Sequence, residues 1–187
     1  MSINATDLYE DGPAAGAKAK ILLIHFDGAI DAGGAGRMAI GQMLRSLHNE
    51  RVATFDADAL VDYRSHRPII TVEDWVSSPD MVMPQTVLDL VEDDMGNPIL
   101  VLHGAEPDAH WESFTNAISG ICERAGVEIT FSLHGVPSGV PHTRPTPVHV
   151  QATDASLLPA GGATIANHMQ FPAPLSTFVQ IRMGQRG

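Results

Sequence analysis

The chain has 187 residues, 44% of them hydrophobic and 18% charged, which is enough for one domain with a proper core and too few for two of ordinary size. Eleven basic residues against 22 acidic ones leave a net charge of −11 with the histidines neutral. That balance repels nucleic acid and anionic lipid, so neither is expected as a partner.

No apolar run approaches the roughly 20 residues a membrane-spanning helix needs. The start of the chain lacks a basic stretch followed by an apolar block, so no secretory signal is read there. The single cysteine, Cys122, excludes an internal disulfide and fits a reducing cytoplasm, the expected location.

Residues 1–18 are small, polar and Gly/Pro-containing, and read as a flexible leader or a first edge segment ahead of one α/β domain over 19–187. "ILLIHF" (21–26) has the branched, continuous apolar character of a strand buried on both faces. Beyond a glycine-rich loop, Ile40, Met43, Leu44 and Leu47 follow the i, i+3, i+4, i+7 spacing of an amphipathic helix that ends near His48. "RVATFDAD" (51–58) reads as the next strand, completing a βαβ unit with parallel strands.

"RPIITVEDW" (67–75) is a further β-rich run, and "TVLDLVEDDMGNPILVLHG" (86–104) predicts two strands about a turn at Asp93–Pro98. A second amphipathic helix carries Trp111, Phe114, Ile118, Ile121, Cys122 and Ala125, with Pro107 and Asp108 suited to its first turn and Gly126 to its C-terminal cap. "VEITFSL" (127–133) and "TPVHVQA" (146–152) read as strands, and "PLSTFVQIRMG" (174–184) as a short helix. Strands alternating with helices predict a three-layer α/β/α sandwich with a mixed, mostly parallel sheet.

The stretch "HFDGAIDAGGAG" (25–36) stands where a phosphate loop would. Counting from Gly28, Gly33 is in register, but Gly34-Ala35 replaces the Lys-Ser or Lys-Thr that a phosphate loop requires. A dinucleotide fingerprint needs its first glycine directly after the strand, whereas residues 27–33 separate Phe26 from Gly34 and include Asp27 and Asp31, which oppose a pyrophosphate. Close packing of loop and helix is the better account of Gly33, Gly34 and their neighbours.

In "LHGAEPDAHW", His103, Glu106, Asp108 and His110 gather where a strand gives way to a helix. They could ligate a metal or move a proton, but the spacing fits no zinc signature, and capping of the helix start is favoured for Glu106 and Asp108. In "HGVPSGVPHTRP" (134–145), His134 ends a strand while His142 and Arg144 follow in a proline-constrained loop. Acid–base histidines with an arginine anion anchor, and a rigid surface loop or subunit contact, are both consistent with that pattern. Asp56, Asp58 and Asp62 lack the glycine and glutamate of a calcium loop, and Arg64 and Arg67 near Asp62 read as structural ion-pair partners. Cys122 lies on an apolar helix face and reads as an inert buried thiol. No motif calls for a cofactor or a metal.

Taken in order, "ILLIHFDGAIDAGGAG", "FDADALVDYRSHRP", "LVLHGAEPDAHW" and "GVPHTRP" resemble the proteasome-assembly-chaperone-type family in its actinobacterial branch, over about residues 20–152 and less closely through "MQFPAPLSTFVQIRMGQRG". The resemblance implies a fold similar to purine nucleoside phosphorylases and a role in proteasome assembly. It departs from the family in two ways. The chain ends Gln185-Arg186-Gly187 instead of the hydrophobic-Tyr-any tail that docks in proteasome pockets. Members of the branch also continue with a further strand and a helical segment, so a missing C-terminal portion is expected.

The leading expectation is a chaperone-like interaction protein that forms a homo-oligomer and engages proteasome subunits, with Met81, Val82 and Met83 beside Pro84 as a subunit contact. The alternative is a hydrolase or phosphorylase acting on a nucleoside-like substrate. Its catalytic residues are not assigned; it requires Asp27, Asp31, His103, Glu106, His134 and His142 to converge on one cleft.

Overall fold

A computed structural model describes residues 3–28, 30–160 and 168–186. Among these residues eight strands form two separate sheets. The main sheet contains β1 (Tyr9–Asp11), β2 (Ile21–Asp27), β3 (Asn49–Phe55), β6 (Thr86–Glu92), β7 (Pro98–Ala105) and β8 (Ile129–Ser132), in the order β1-β3-β6-β7-β2-β8. The second sheet is the hairpin of β4 (Ile69–Glu73) and β5 (Val76–Val82). The helices are α1 (Ala35–Ser46), the single turn α2 (Ala57–Leu60), α3 (Trp111–Ala125) and α4 (Leu175–Gly184).

Successive residues of β2 point to opposite faces, and each face has its own cover. Leu22 and Ile24 join Leu100 and Leu102 of β7 beneath Phe114, Ile118 and Ile121 of α3, with Leu175 and Val179 of α4 in the same cluster. Leu23 joins Ile99, Val91 and Val101 beneath Ile40, Met43 and Leu44 of α1 on the other face. The helical spacing at Ile40–Leu47 and at Trp111–Ala125 is therefore the spacing of the two buried stripes. Gly126 takes φ 82° just after α3, and its N–H bonds the Cys122 carbonyl, closing the helix.

The sheet is mixed but not mostly parallel. β7–β2 and β2–β8 are parallel, whereas β1–β3, β3–β6 and β6–β7 are antiparallel. The βαβ reading of β2, α1 and β3 keeps its strand direction, but β6 and β7 lie between the two strands. Strand direction and neighbour order are set by pairing across the sheet, which hydrophobic periodicity does not encode.

Local details differ as well. Within residues 1–18, read as a flexible leader or a first edge segment, Leu8 is fully buried and Tyr9–Asp11 pairs with β3, the edge-segment alternative. Trp111 opens α3, leaving Pro107 and Asp108 in the preceding loop. Residues 76–82, left without an assignment above, form β5 because a two-residue turn at Asp74–Trp75 folds them onto β4. Residues 146–152 lie outside both sheets.

The outer edge of β8 is met by α4. Gln180 Nε2 donates to the Thr130 carbonyl at 3.1 Å and its Oε1 accepts from the Ser132 hydroxyl at 3.0 Å. No helix among the described residues is long and apolar enough to cross a membrane.

Candidate functional site

β2 and β7 are parallel neighbours, yet the chain leaves β2 for α1 on one face and β7 for α3 on the other. In open α/β sheets the crevice beyond the strand ends at such a divergence is where ligands bind. A cleft of about 410 Å³ occupies this place, lined by Asp27 and Gly28 after β2, by Glu106, Asp108 and Trp111 around the start of α3, and by His66.

The lining residues are held by structural bonds. Glu106 Oε1 accepts the N–H of Leu175, the first residue of α4, at 2.7 Å. Gly28 lies against the same carboxylate: a Cβ there would sit 2.0 Å from Glu106 Oε2, so a larger residue displaces the group that holds Leu175. Asp108 Oδ2 accepts the Asp62 N–H at 2.7 Å and the Ser65 hydroxyl at 3.1 Å, and faces His66 Nδ1 at 3.3 Å. That carboxylate brings His66 to the rim. Trp111 Nε1 donates to the Pro107 carbonyl at 2.6 Å, and the ring meets Phe178 edge-on at 5.4 Å, which fixes the indole as one wall.

Asp31 lies behind this cleft at the start of α1. Its Oδ1 accepts the N–H groups of Gly36 (2.8 Å) and Gly135 (3.0 Å), and its Oδ2 accepts that of Arg37 (3.0 Å). It thus satisfies the helix start and ties in the loop after β8. Burial pushes its carboxyl up, but the N–H groups of Arg37, Gly36 and Gly135 and the nearby His25 outweigh this and hold it below the ordinary aspartate value.

His25 is buried, with Nδ1 donating to the Leu133 carbonyl at 3.1 Å. Among the described residues its Nε2 has no hydrogen-bond partner; it lies 3.7 Å from Asp31 and 3.9 Å from Asp27. Gly36 permits this arrangement, because a Cβ there would come within 2.4 Å of His25 Nδ1. Close packing thus accounts for Gly28 and Gly36. Gly33 and Gly34 serve backbone geometry instead, with φ of 69° and 66° in the turn before α1.

The remaining candidates lie elsewhere. His103 Nε2 bonds Asp89 Oδ2 at 2.8 Å, and Asp89 also accepts from Arg51, forming a buried network across β7, β6 and β3. Burial pushes the Asp89 carboxyl up, but the bonds from His103 and Arg51 outweigh it and hold the group below its ordinary value. His134 Nδ1 donates to the Ile30 carbonyl at 3.3 Å, while Nε2 accepts from the buried Ser176 hydroxyl at 3.1 Å, joining the loop after β8 to α4. His142 and Arg144 are exposed and do not line the cleft. The six groups required by the enzyme reading do not converge: the cleft gathers Asp27 and Glu106.

Cys122 is buried, and burial followed by the Glu123 charge pushes its thiol up to about 12, so no thiolate forms near neutral pH. Asp62 pairs with Arg64 at 3.0 Å as expected, and Asp56 caps α2. Among the described residues no group of three His, Cys, Asp or Glu is placed to hold a metal ion.

His66, Trp111, His25 and Ser176 were not among the residues the motifs brought forward. His66 stands between Arg64 and Arg67, which drew attention to ion pairing, and Trp111 fell on a core stripe. Asp27, Glu106 and Asp108 give the cleft three carboxylates, and among the described lining residues His66 alone can become cationic. Such a surface repels phosphate and favours donor-rich ligands, such as amines or hydroxyls beside a flat indole.

The profile of the PAC2 family matches residues 25–187. The chain belongs to the PAC2 family. No curated protein matches it. Among solved structures, this PAC2 chain is similar to a Mycobacterium tuberculosis protein of unknown function, Rv2714, with 32% identity and a TM-score of 0.89. The match covers all of this chain and 65% of Rv2714, so the chain spans somewhat under two thirds of that relative's length. A protein of unknown function from Corynebacterium glutamicum is 30% identical with a TM-score of 0.85, over 96% of this chain and 68% of that one. The M. tuberculosis proteasome-assembly chaperone homologue Rv2125 shares the fold at 23% identity and a TM-score of 0.78, over 89% of this chain and 70% of its own. The family resemblance carried by the four motifs is thus borne out.

Proposed function

We propose that this PAC2 protein is an assembly-related interaction protein of the cytoplasm, which self-associates and engages proteasome subunits. The observation that carries this reading is how the ionisable groups at the strand ends are used. Asp31, Glu106, Asp108 and His134 each hold one backbone segment to another. The helices on both faces of the sheet fit the three-layer, purine nucleoside phosphorylase-like arrangement that the family resemblance implies. Phosphorolysis of a nucleoside needs an anion site, and the cleft at the β2–β7 divergence presents three carboxylates instead.

The test is capture of purified proteasome α-subunits by the immobilised chain. Enrichment well above an unrelated acidic protein is expected. Equal recovery from both would overturn the proteasome partnership.

A further inference from the structure

The cleft at the β2–β7 divergence gathers acceptors without matching donors. Asp27, Glu106 and Asp108 line it, with no lysine or arginine among the described lining residues. Carboxylates about one cavity repel each other, and a bound cation relieves that repulsion. Two of the three are already engaged. Asp108 Oδ2 serves Asp62, Ser65 and His66, and Glu106 holds the start of α4. Asp27 makes no hydrogen bond to any described residue; the group it faces is His25 Nε2, at 3.9 Å.

His25 is a second and independent sign. It is 2% exposed, and its Nδ1 donates to the Leu133 carbonyl, so the neutral ring carries its lone pair on Nε2. That nitrogen has no hydrogen-bond partner among the described residues and is directed at Asp27 Oδ1 and Asp31 Oδ2. Asp31 is satisfied by three backbone N–H groups. The inner wall of the cleft thus holds two acceptors, His25 Nε2 and Asp27, and no N–H between them. Buried polar atoms left in that condition are few in native proteins.

Trp111 sets the remaining requirement. Its one donor, Nε1, is taken by the Pro107 carbonyl, so the indole offers a ligand only its π surface. An indole is the best of the aromatic side chains at attracting a cation. A cavity of about 410 Å³ has room for a small organic molecule.

We propose that this cleft binds a primary alkylammonium, whose N–H groups donate to Asp27 and whose charged end lies against Trp111. A neutral polyol supplies donors but leaves the carboxylate charge uncompensated. A quaternary ammonium suits the indole but has no N–H for Asp27. The same head group belongs to a free polyamine and to a lysine side chain. This site goes beyond the assembly role and does not depend on it.

The experiment uses the full chain in about 0.15 M salt, where general attraction to the acidic surface is screened. Spermidine and Nα-acetyl-lysine methylamide are titrated by calorimetry. One saturable site per chain is expected for at least one of them, with a dissociation constant of about 100 µM or tighter. In Trp75→Phe protein Trp111 is the remaining tryptophan, and its emission is expected to change along the same binding curve. Asp27→Asn is expected to weaken binding roughly tenfold or more with an unchanged circular dichroism spectrum, because Asp27 holds no other segment. Glu50→Gln removes the same charge from an exposed position on β3 and is expected to leave binding unchanged.

Tighter binding of spermidine supports a free polyamine as the source, and tighter binding of the lysine analogue supports a lysine side chain. Absence of both heat and emission change at about 1 mM of either amine overturns the proposal. Equal weakening by Asp27→Asn and Glu50→Gln overturns it by assigning the binding to overall charge. Equal affinity for erythritol or for tetramethylammonium overturns the requirement for a cation that donates N–H. Capture of proteasome subunits is read separately, so this site and the assembly role stand or fall apart.

Discussion

Asp31 bears on the stability of the strand-to-helix loop more than any other side chain in it. It accepts three backbone N–H groups, two from the first turn of α1 and one from Gly135 after β8. Asp31→Ala leaves all three without that acceptor in a part-buried setting, at a cost of about 2 kcal/mol, the upper end for loss of a helix cap. Urea unfolding measures the loss, and a change within about 0.5 kcal/mol would contradict the capping role. The aspartates that count against a phosphate loop thus divide into two roles. Asp31 organises the helix start, and Asp27 faces the cleft.

Between elements, the His103–Asp89–Arg51 network joins three adjacent strands. Because the Asp89 carboxyl is held below its ordinary value in the folded chain, its contribution is fully present above the unfolded aspartate value of about 3.9 and is lost as pH falls through the lower folded value. Asp31 acts in the same direction. Asp89→Asn is expected to cost about 2 kcal/mol at neutral pH and to flatten the decline of unfolding free energy between pH 5 and lower values. Urea titrations of both proteins across that range measure it; parallel curves would count against the network.

The element scale is also where sequence and structure part. The β6–β7 turn and the Gly126 stop after α3 were legible because each has a local cause, turn chemistry in one and a left-handed cap in the other. β5 was not legible, because Ser77, Ser78 and Pro79 read as loop and only pairing with β4 makes the segment a strand. His66 was not legible at the cleft, because it arrives there through Asp108, a contact 42 residues along the chain. The strand character of 146–152 was visible, but this chain's own sheets do not take the segment up.

For the whole molecule, the edges of the main sheet determine how the protein avoids uncontrolled association. At one edge, β1 places Glu10 and Asp11 in solvent, where like charges discourage a further strand. At the other, the amide of Gln180 occupies the Thr130 carbonyl, a backbone acceptor that a neighbouring strand would use, and its oxygen accepts from the Ser132 hydroxyl beside it. A side chain one amide long thus does the work of a blocking strand. Gln180→Val removes the block while keeping the position apolar enough to pack. Time-dependent light scattering at fixed concentration is expected to rise for this variant and stay flat for the parent chain; matching traces would show that the edge is closed by something else. In polymer terms, α4 is a chain terminator for the sheet, set on the side where addition of strands would otherwise continue.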